Sequence, residues 1–282
     1  MPQKTIELLK NGLESNKAEK FRRGNLISLP GEVELIATGD IHGHRRNFER
    51  IVSFSDLANN PNRHVMFQEI LHGGPEDEEG RCQSYELLFD AIGYKLEFPE
   101  RVHFILGNHD TAFINNSKVM KGGKEMNDSI RLALDHEFKE ASEEVKLAMK
   151  QFLFSQALAI RCNNRIWLSH SLPSGRFSEK FDHRIMDREL KINDMVKPGS
   201  AYLLTWGRNI NQEVLDATAE LFDVNIFILG HQAQKQGWDR AGENLIIIAS
   251  DHNHGCLLPI DLSKTYTVET LVDSIIPLAS IS

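Results

Sequence analysis

Two kinds of apolar pattern alternate along the chain. Residues 33–37, 64–71, 102–106, 158–162, 165–169, 226–229, 245–250 and 256–260 are short, nearly continuous apolar runs, and they predict strands. Between several of them, apolar residues recur at helical spacing. Ile6, Leu9 and Leu13 among many Lys and Glu predict an amphipathic helix over residues 4–22 that packs on the main body. Phe48, Ile51, Val52 and Leu57 predict a helix over 47–57, and Leu87, Leu88 and Ala91 form the inward face of another over 85–92. Residues 126–134 and 137–153 carry spaced apolar positions inside a mostly helical, polar block, 111–157. Pro30-Gly31 marks residues 25–31 as a turn-rich connection, Pro61-Asn62 turns the chain into the second strand, and Asn163-Asn164 predicts a hairpin. Strands and helices alternating at short separation indicate βαβ units.

A chain of 282 residues is long enough to bury a substantial core. Its net charge of −8 argues against a nucleic-acid-binding surface. An anionic substrate would then need positive charge concentrated at the site, which bound metals could supply. Cys82, Cys162 and Cys256 are far apart and odd in number, which predicts reduced thiols and neither a disulfide framework nor a structural zinc. The N-terminus lacks the apolar core of a signal peptide, and no run approaches the roughly 18 apolar residues of a membrane span. A cytoplasmic protein without a membrane partner is the expectation.

The polar residues just past the apolar runs carry the chemistry. Asp40 and His42 flank one residue beyond the first strand, with Gly39 and Gly43 allowing close backbone approach. Gly107-Asn108-His109-Asp110 comes after the third strand, Ser169-His170-Ser171 after a later one, and Gly230-His231-Gln232 after another. Taken singly each has a bland reading: Asn108 could cap the next helix with His109 in solvent, and a lone buried histidine is usually structural. Four metal-competent groups in the same topological position argue otherwise, because open α/β sheets collect their ligands beyond the carboxyl ends of strands. Carboxylate, amide and imidazole together suit a divalent metal of intermediate hardness.

The order GDIHG, GNHD, SHS, GHQ resembles the calcineurin-like metallophosphoesterases, in particular the PPP-type serine/threonine protein phosphatases, over about residues 33–260. The resemblance implies a four-layer α/β metallophosphoesterase fold, a β-sandwich flanked by helices. Residues 1–282 would form a single domain, with an N-terminal helix over 1–24 and a helical insertion at about 111–157. It implies two divalent cations, Mn, Fe or Zn, with Asp40 and His42 on one and Asn108, His170 and His231 on the other. His109 would be the general acid, with Asp110 beside it among the catalytic residues. Independently of any resemblance, two cations roughly 3.5–4 Å apart would stabilise the entering and leaving oxygens of an in-line displacement. The expected activity is hydrolysis of phosphate monoesters by attack of a metal-bound hydroxide, on a phosphoprotein or a small phosphoester.

The second motif departs from the family's GDxxDRG. Glu69 stands at the bridging Asp, His72 at the Asp that orients the general acid, and Gly73 at the Arg that grips phosphate. His72 would serve that acid only as a neutral acceptor. Loss of the guanidinium removes a bidentate clamp, for which Arg45, Arg46, Arg81 or Arg208 could substitute. Arg208 is preferred, because Trp206-Gly207-Arg208 resembles a segment lining the family's substrate cleft; Arg45 is kept as a second substrate contact. His252, after Asp251, is a candidate substrate or supporting contact, and the acidic run 76–79 is a solvated loop or an alternative metal holder. Two rivals stay open. One is a hydrolase of a dinucleoside polyphosphate or cyclic nucleotide; the other is an inactive metal-binding regulatory homologue.

Overall fold

The computed structural model describes residues 2–121 and 123–282. Helix α1 (Pro2–Lys17) buries Ile6 and Leu9 against the body. It ends at Lys17 and does not reach residue 24; a two-residue strand β1 (Arg22–Arg23) comes after it. The expected turn at 25–31 is corrected as well, since it contains β2 (Leu26–Leu29), which pairs parallel to a later strand through Leu26↔Ala159 and Leu29↔Cys162. Ile27 and Leu29 are buried, so their alternation outweighs the turn signal of the adjoining proline and glycine.

The chain then winds a parallel unit of β3 (Glu34–Thr38), α2 (Arg45–Ser55), β4 (Arg63–Gln68), α3 (Ser84–Glu97) and β5 (Val102–Ile105). Strand β4 stops at Gln68, short of the predicted 71, because Glu69 turns into the left-handed region at φ 47°. Helix α4 (Asn108–Asn115) leaves the end of β5. A small hairpin of β6 (Met120–Lys121) and β7 (Lys124–Glu125) comes next, then α5 (Met126–Phe138) and α6 (Ser142–Phe154). Strands β8 (Ala159–Cys162) and β9 (Ile166–Ser169) make the expected hairpin, Arg165 taking the left-handed conformation at φ 65°. Neither α7 (Ser200–Trp206) nor α8 (Gln212–Phe222) was anticipated from the sequence. They precede β10 (Ile226–Leu229), β11 (Trp238–Ala241), β12 (Leu245–Ile248), β13 (Cys256–Asp261), α9 (Val268–Val272) and β14 (Ile276–Pro277).

Two mixed sheets result, β14-β13-β3-β4-β5 and β1-β2-β8-β9-β10-β12-β11. Strand periodicity explains why they face one another under helices. Leu35, Ala37, Met66, Ile226, Ile228, Ile246 and Ile248 pack in one apolar cluster between the sheets. Their neighbours Ile36, Val65, Phe67, Phe227, Leu245 and Ile247 point the other way, into a second cluster shared with the helices. A strand buried on both faces reads as an unbroken apolar run, which is how these appear in the sequence. The sheets meet at Asp40, which makes single parallel bridges to Gln68 of one sheet and to Ala249, just past β12 of the other. No helix among the described residues is long and apolar enough to cross a membrane.

A polar cluster is buried at the opposite ends of β4 and β5. Lys95 is fully buried and donates to the Glu19 carboxylate and, at 2.7 Å, to the carbonyl of Val102. The second Glu19 oxygen lies 3.2 Å from His103 Nδ1, and His103 Nε2 lies 2.9 Å from His64 Nδ1. Removing one partner of a buried pair strands the other charge. Glu19→Gln is therefore expected to cost about 3–5 kcal/mol in urea unfolding. Burial, then the neighbouring His103 and Arg101, push the His64 imidazole down to about 3. A ring held neutral in the fold but free to protonate when unfolded contributes fully above about pH 6.5, and that contribution shrinks as pH falls. Between pH 6.5 and 5, His64→Gln should lose about 1–2 kcal/mol less stability than the parent.

Candidate metal centre

The candidate ligands are delivered by chain ends that leave the two sheets at their common seam. Four of them or their neighbours have strained backbones: His42 (φ 45°), Glu69 (φ 47°), His72 (φ 61°) and His231 (φ 65°) all occupy the left-handed region without being glycine. Strain of this kind costs of order 1–3 kcal/mol per residue and concentrates at functional sites. Two glycines make the gathering possible. A Cβ on Gly107 would fall 2.1 Å from Glu69 Oε1, and one on Gly230 would fall 2.3 Å from Asp40 Oδ1. Both carboxylates occupy space that only glycine leaves open.

The side chains converge on a cavity of about 350 Å³ lined by Asp40, His42, Glu69, His72, Asn108, His109, Trp206, Arg208, His231 and Asp251, among others. Two groups of donor atoms lie within 4.8 Å of one another: His42, Glu69 and His72, and Asp40, Glu69 and His170. Glu69 belongs to both. His170 Nδ1 lies 2.8 Å from Gln68 Oε1, while the Gln68 amide nitrogen donates to Thr38 O at 2.9 Å. Those bonds fix Gln68 Oε1 as an acceptor and the proton on His170 Nδ1. The other ring nitrogen of His170 then points a lone pair at Asn108 Oδ1, 2.9 Å away, and at Glu69 Oε2, 3.7 Å away. His231 Nδ1 is also 2.8 Å from Asn108 Oδ1, and its buried Nε2 has no hydrogen-bond partner among the described residues. Acceptors drawn together in this way fit a cation, and their mixture of carboxylate, amide oxygen and imidazole fits a divalent one of intermediate hardness.

Electrostatics support the same requirement. Burial raises the Asp40 carboxyl above its ordinary range. Glu69 is raised well above it, by burial first and then by repulsion from Asp110 and Asp40. His170 is held far below the usual imidazole range and His231 at about 3, in each case by burial first and then by neighbouring positive groups. Neutral imidazoles are the form that binds metal, and a cation offsets the cost of the buried carboxylates.

The other expected residues divide sharply. His109 lines the cavity, its backbone N–H donating to Glu69 Oε1 at 3.0 Å. Arg208 lines it as well. Asp110 does not; its Oδ2 accepts from the Gly107 N–H at 3.1 Å and caps α4, with its carboxyl raised to about 6 chiefly by burial. Arg45 pairs with Asp90 at 2.7 Å on the exposed surface, and His252 Nε2 contacts Gln234 O at 2.8 Å outside the cavity lining. Arg46 is exposed, and Arg81 closes the acidic loop on itself through Asp77 and Glu79.

Two residues that matter escaped the sequence reading. Gln68 orients His170, and nothing in its strand position marked it. Asp251 Oδ2 lies 2.8 Å from His42 Nδ1, which turns Nε2 of that ring toward Asp40 Oδ2, 3.4 Å away. Burial would raise Asp251, but the bond and charge of His42 prevail and hold it below the ordinary carboxylate range. It too lies just beyond a strand end, so the signal that marked Asp40 could have found it.

A family model for calcineurin-like phosphoesterases matches residues 34–235. Among solved structures, a protein serine/threonine phosphatase from Saccharomyces cerevisiae with similarity to human phosphatase PP5 superposes with a TM-score of 0.69 at 13% identity, covering 99% of this chain and 93% of that one. A cold-active protein-tyrosine phosphatase of the psychrophile Shewanella sp. gives 0.58 at 16% identity, over 84% of this chain and 77% of that one. At such identities the likeness extends to the fold.

The glycine cradles supply a test that leaves every ligand in place. Gly107→Ala and Gly230→Ala should each weaken divalent-metal binding by roughly 10–100-fold in calorimetric titration. Their far-UV spectra should match the parent.

Proposed function

The chain belongs to the calcineurin-like phosphoesterase family, and from that premise we propose that it hydrolyses phosphate monoesters with the help of two divalent cations. The observation that carries the proposal is the sharing of Glu69 between two donor groups in one cavity. In this reading Asp40 and His42 would hold one cation, Asn108, His170 and His231 the other, and Glu69 would contribute to both. Bound there, such a pair would offset charge on the phosphoryl oxygens and would acidify a water near neutral pH.

The remaining work belongs to the chain's own side chains. Asp251 and Gln68 hold His42 and His170 in the tautomers that turn a bare nitrogen inward. His109, on the cavity wall, gives a proton to the leaving oxygen. Arg208 reaches the same cavity and grips the phosphate oxygens, replacing the guanidinium absent at Gly73. Trp206, Met120 and Val119 add an apolar wall against which the leaving group rests.

Four measurements test this. With Mn²⁺, purified protein should hydrolyse p-nitrophenyl phosphate and Asp40→Asn should lose most of that rate; equal, slow turnover by both would favour the inactive regulatory homologue. His109→Asn should lower kcat by roughly 10²–10⁴ on an alkyl phosphate, whose leaving group needs the proton, and much less on the nitrophenyl ester. Arg208→Ala should raise KM more than it lowers kcat. Turnover of a phosphopeptide in preference to a dinucleoside polyphosphate or cyclic nucleotide would assign the physiological substrate to the protein class.

A further inference from the structure

We propose that His72 is itself a metal ligand, so that one cation is held by His42, Glu69 and a second imidazole. This rests on the hydrolytic centre proposed for the cavity and adds a donor to it. The sequence position of His72 corresponds to a residue that would support the general acid, and the geometry argues against that role. The rings of His72 and His109 stack face to face, with centroids 3.3 Å apart and planes at 24°. In-plane N–H groups and lone pairs do not point at one another across a stack, so His72 does not orient His109 as a carboxylate at its edge would.

Three observations place the ring toward the cation instead. First, its Nε2 lies 3.7 Å from Glu69 Oε2, as His42 Nε2 lies 3.4 Å from Asp40 Oδ2. Donors about 2.1 Å from a shared ion stand between about 3 Å and 4.2 Å from each other, which the 3.7 Å spacing fits, and the donor atoms of His42, Glu69 and His72 all lie within 4.8 Å of one another. Second, His72 is buried, lines the cavity, and sits 4.1 Å from the His42 ring between centroids. Third, the loop is built to bring it there. His72 and Gly73 are consecutive left-handed residues, and the His72 N–H donates to Ser84 Oγ at 2.9 Å. A Cβ on Gly43 would lie 2.5 Å from Gly74 Cα, so the loop carrying His42 and the loop carrying His72 touch backbone to backbone. An arginine side chain at position 73 would have to start from φ 65° against the Cβ of His42, 3.2 Å away. Glycine at 73 leaves that space to His42.

An added imidazole makes the site softer, favouring Zn²⁺ or Co²⁺ over Mn²⁺ relative to an all-oxygen partner at that position. The test is binding and spectroscopy of the chelator-stripped full chain with Co²⁺ alone. Wild type, His72→Gln, His72→Asp and Asp40→Asn are compared by calorimetry, visible absorption and paramagnetic proton NMR. Each ligating imidazole that keeps an N–H gives one hyperfine-shifted, solvent-exchangeable resonance. The expected result is one such resonance fewer in His72→Gln than in wild type, altered d–d bands, and one of the two cobalt ions bound at least roughly tenfold more weakly. His72→Asp should restore binding but not the resonance, and should shift the Mn²⁺/Zn²⁺ preference toward Mn²⁺. Wild-type resonances, bands and affinity in His72→Gln, alongside a damaged Asp40→Asn, would overturn the role of His72 and leave the hydrolytic centre standing. A wild-type chain that takes up no cobalt would overturn both.

Discussion

Buried negative charge is the constraint around which this molecule is arranged. Asp40 and Glu69 are removed from water in one cavity and repel each other, and Asp110 stands close behind them. The polypeptide answers only part of that cost itself. It directs N–H groups of His231 and His109 at the two carboxylates, at 2.9 and 3.0 Å, and carries one guanidinium, Arg208, to the cavity lining. Most of what else it brings near them is imidazole or amide oxygen, with His170 and His231 held below the usual imidazole range. A protein selected only for stability would have placed apolar groups there. The arrangement makes sense as one half of a salt whose other half is a cation.

Contrasting surroundings make the point from the other direction. The Glu19–Lys95–His103–His64 cluster is just as buried, yet it balances internally, carboxylate against ammonium, with the second Glu19 oxygen beside His103. None of its four residues has a positive φ, whereas the cavity holds His42, Glu69, His72 and His231 there. Burial of polar groups alone therefore does not distinguish a site here. Burial together with an uncompensated charge and a strained backbone does.

How much of this was legible in the sequence depended on whether a signal was local. The strands at 226–229 and 102–106 were, because strands covered on both faces leave continuous apolar runs. Strand β2 was hidden: four residues beside Pro30-Gly31 become a strand only because β8 offers them hydrogen bonds from far along the chain. Helix α7, at seven residues, is too short to show a period, whereas α8 spaces Leu215, Ala219 and Phe222 at helical intervals and was legible though not anticipated. For the site, Asp40, His42, Asn108, His170 and His231 were recognisable from their places just past the strand ends. Arg45 and His252 looked equally suitable on paper, but a helix that turns Arg45 toward Asp90 and a loop that turns His252 toward Gln234 are tertiary facts. Gln68 was invisible because a glutamine in a strand has many ordinary uses.

The bridges from Asp40 to Gln68 on one side and to Ala249 on the other have a consequence for assembly. No single sheet contains the centre, so a half-folded chain, with one sheet formed and the other open, owns only fragments of it. A complete set of donors exists only once both sheets are in place, and a mutation deep in the interlayer packing, far from any donor atom, can dismantle it by letting the seam part.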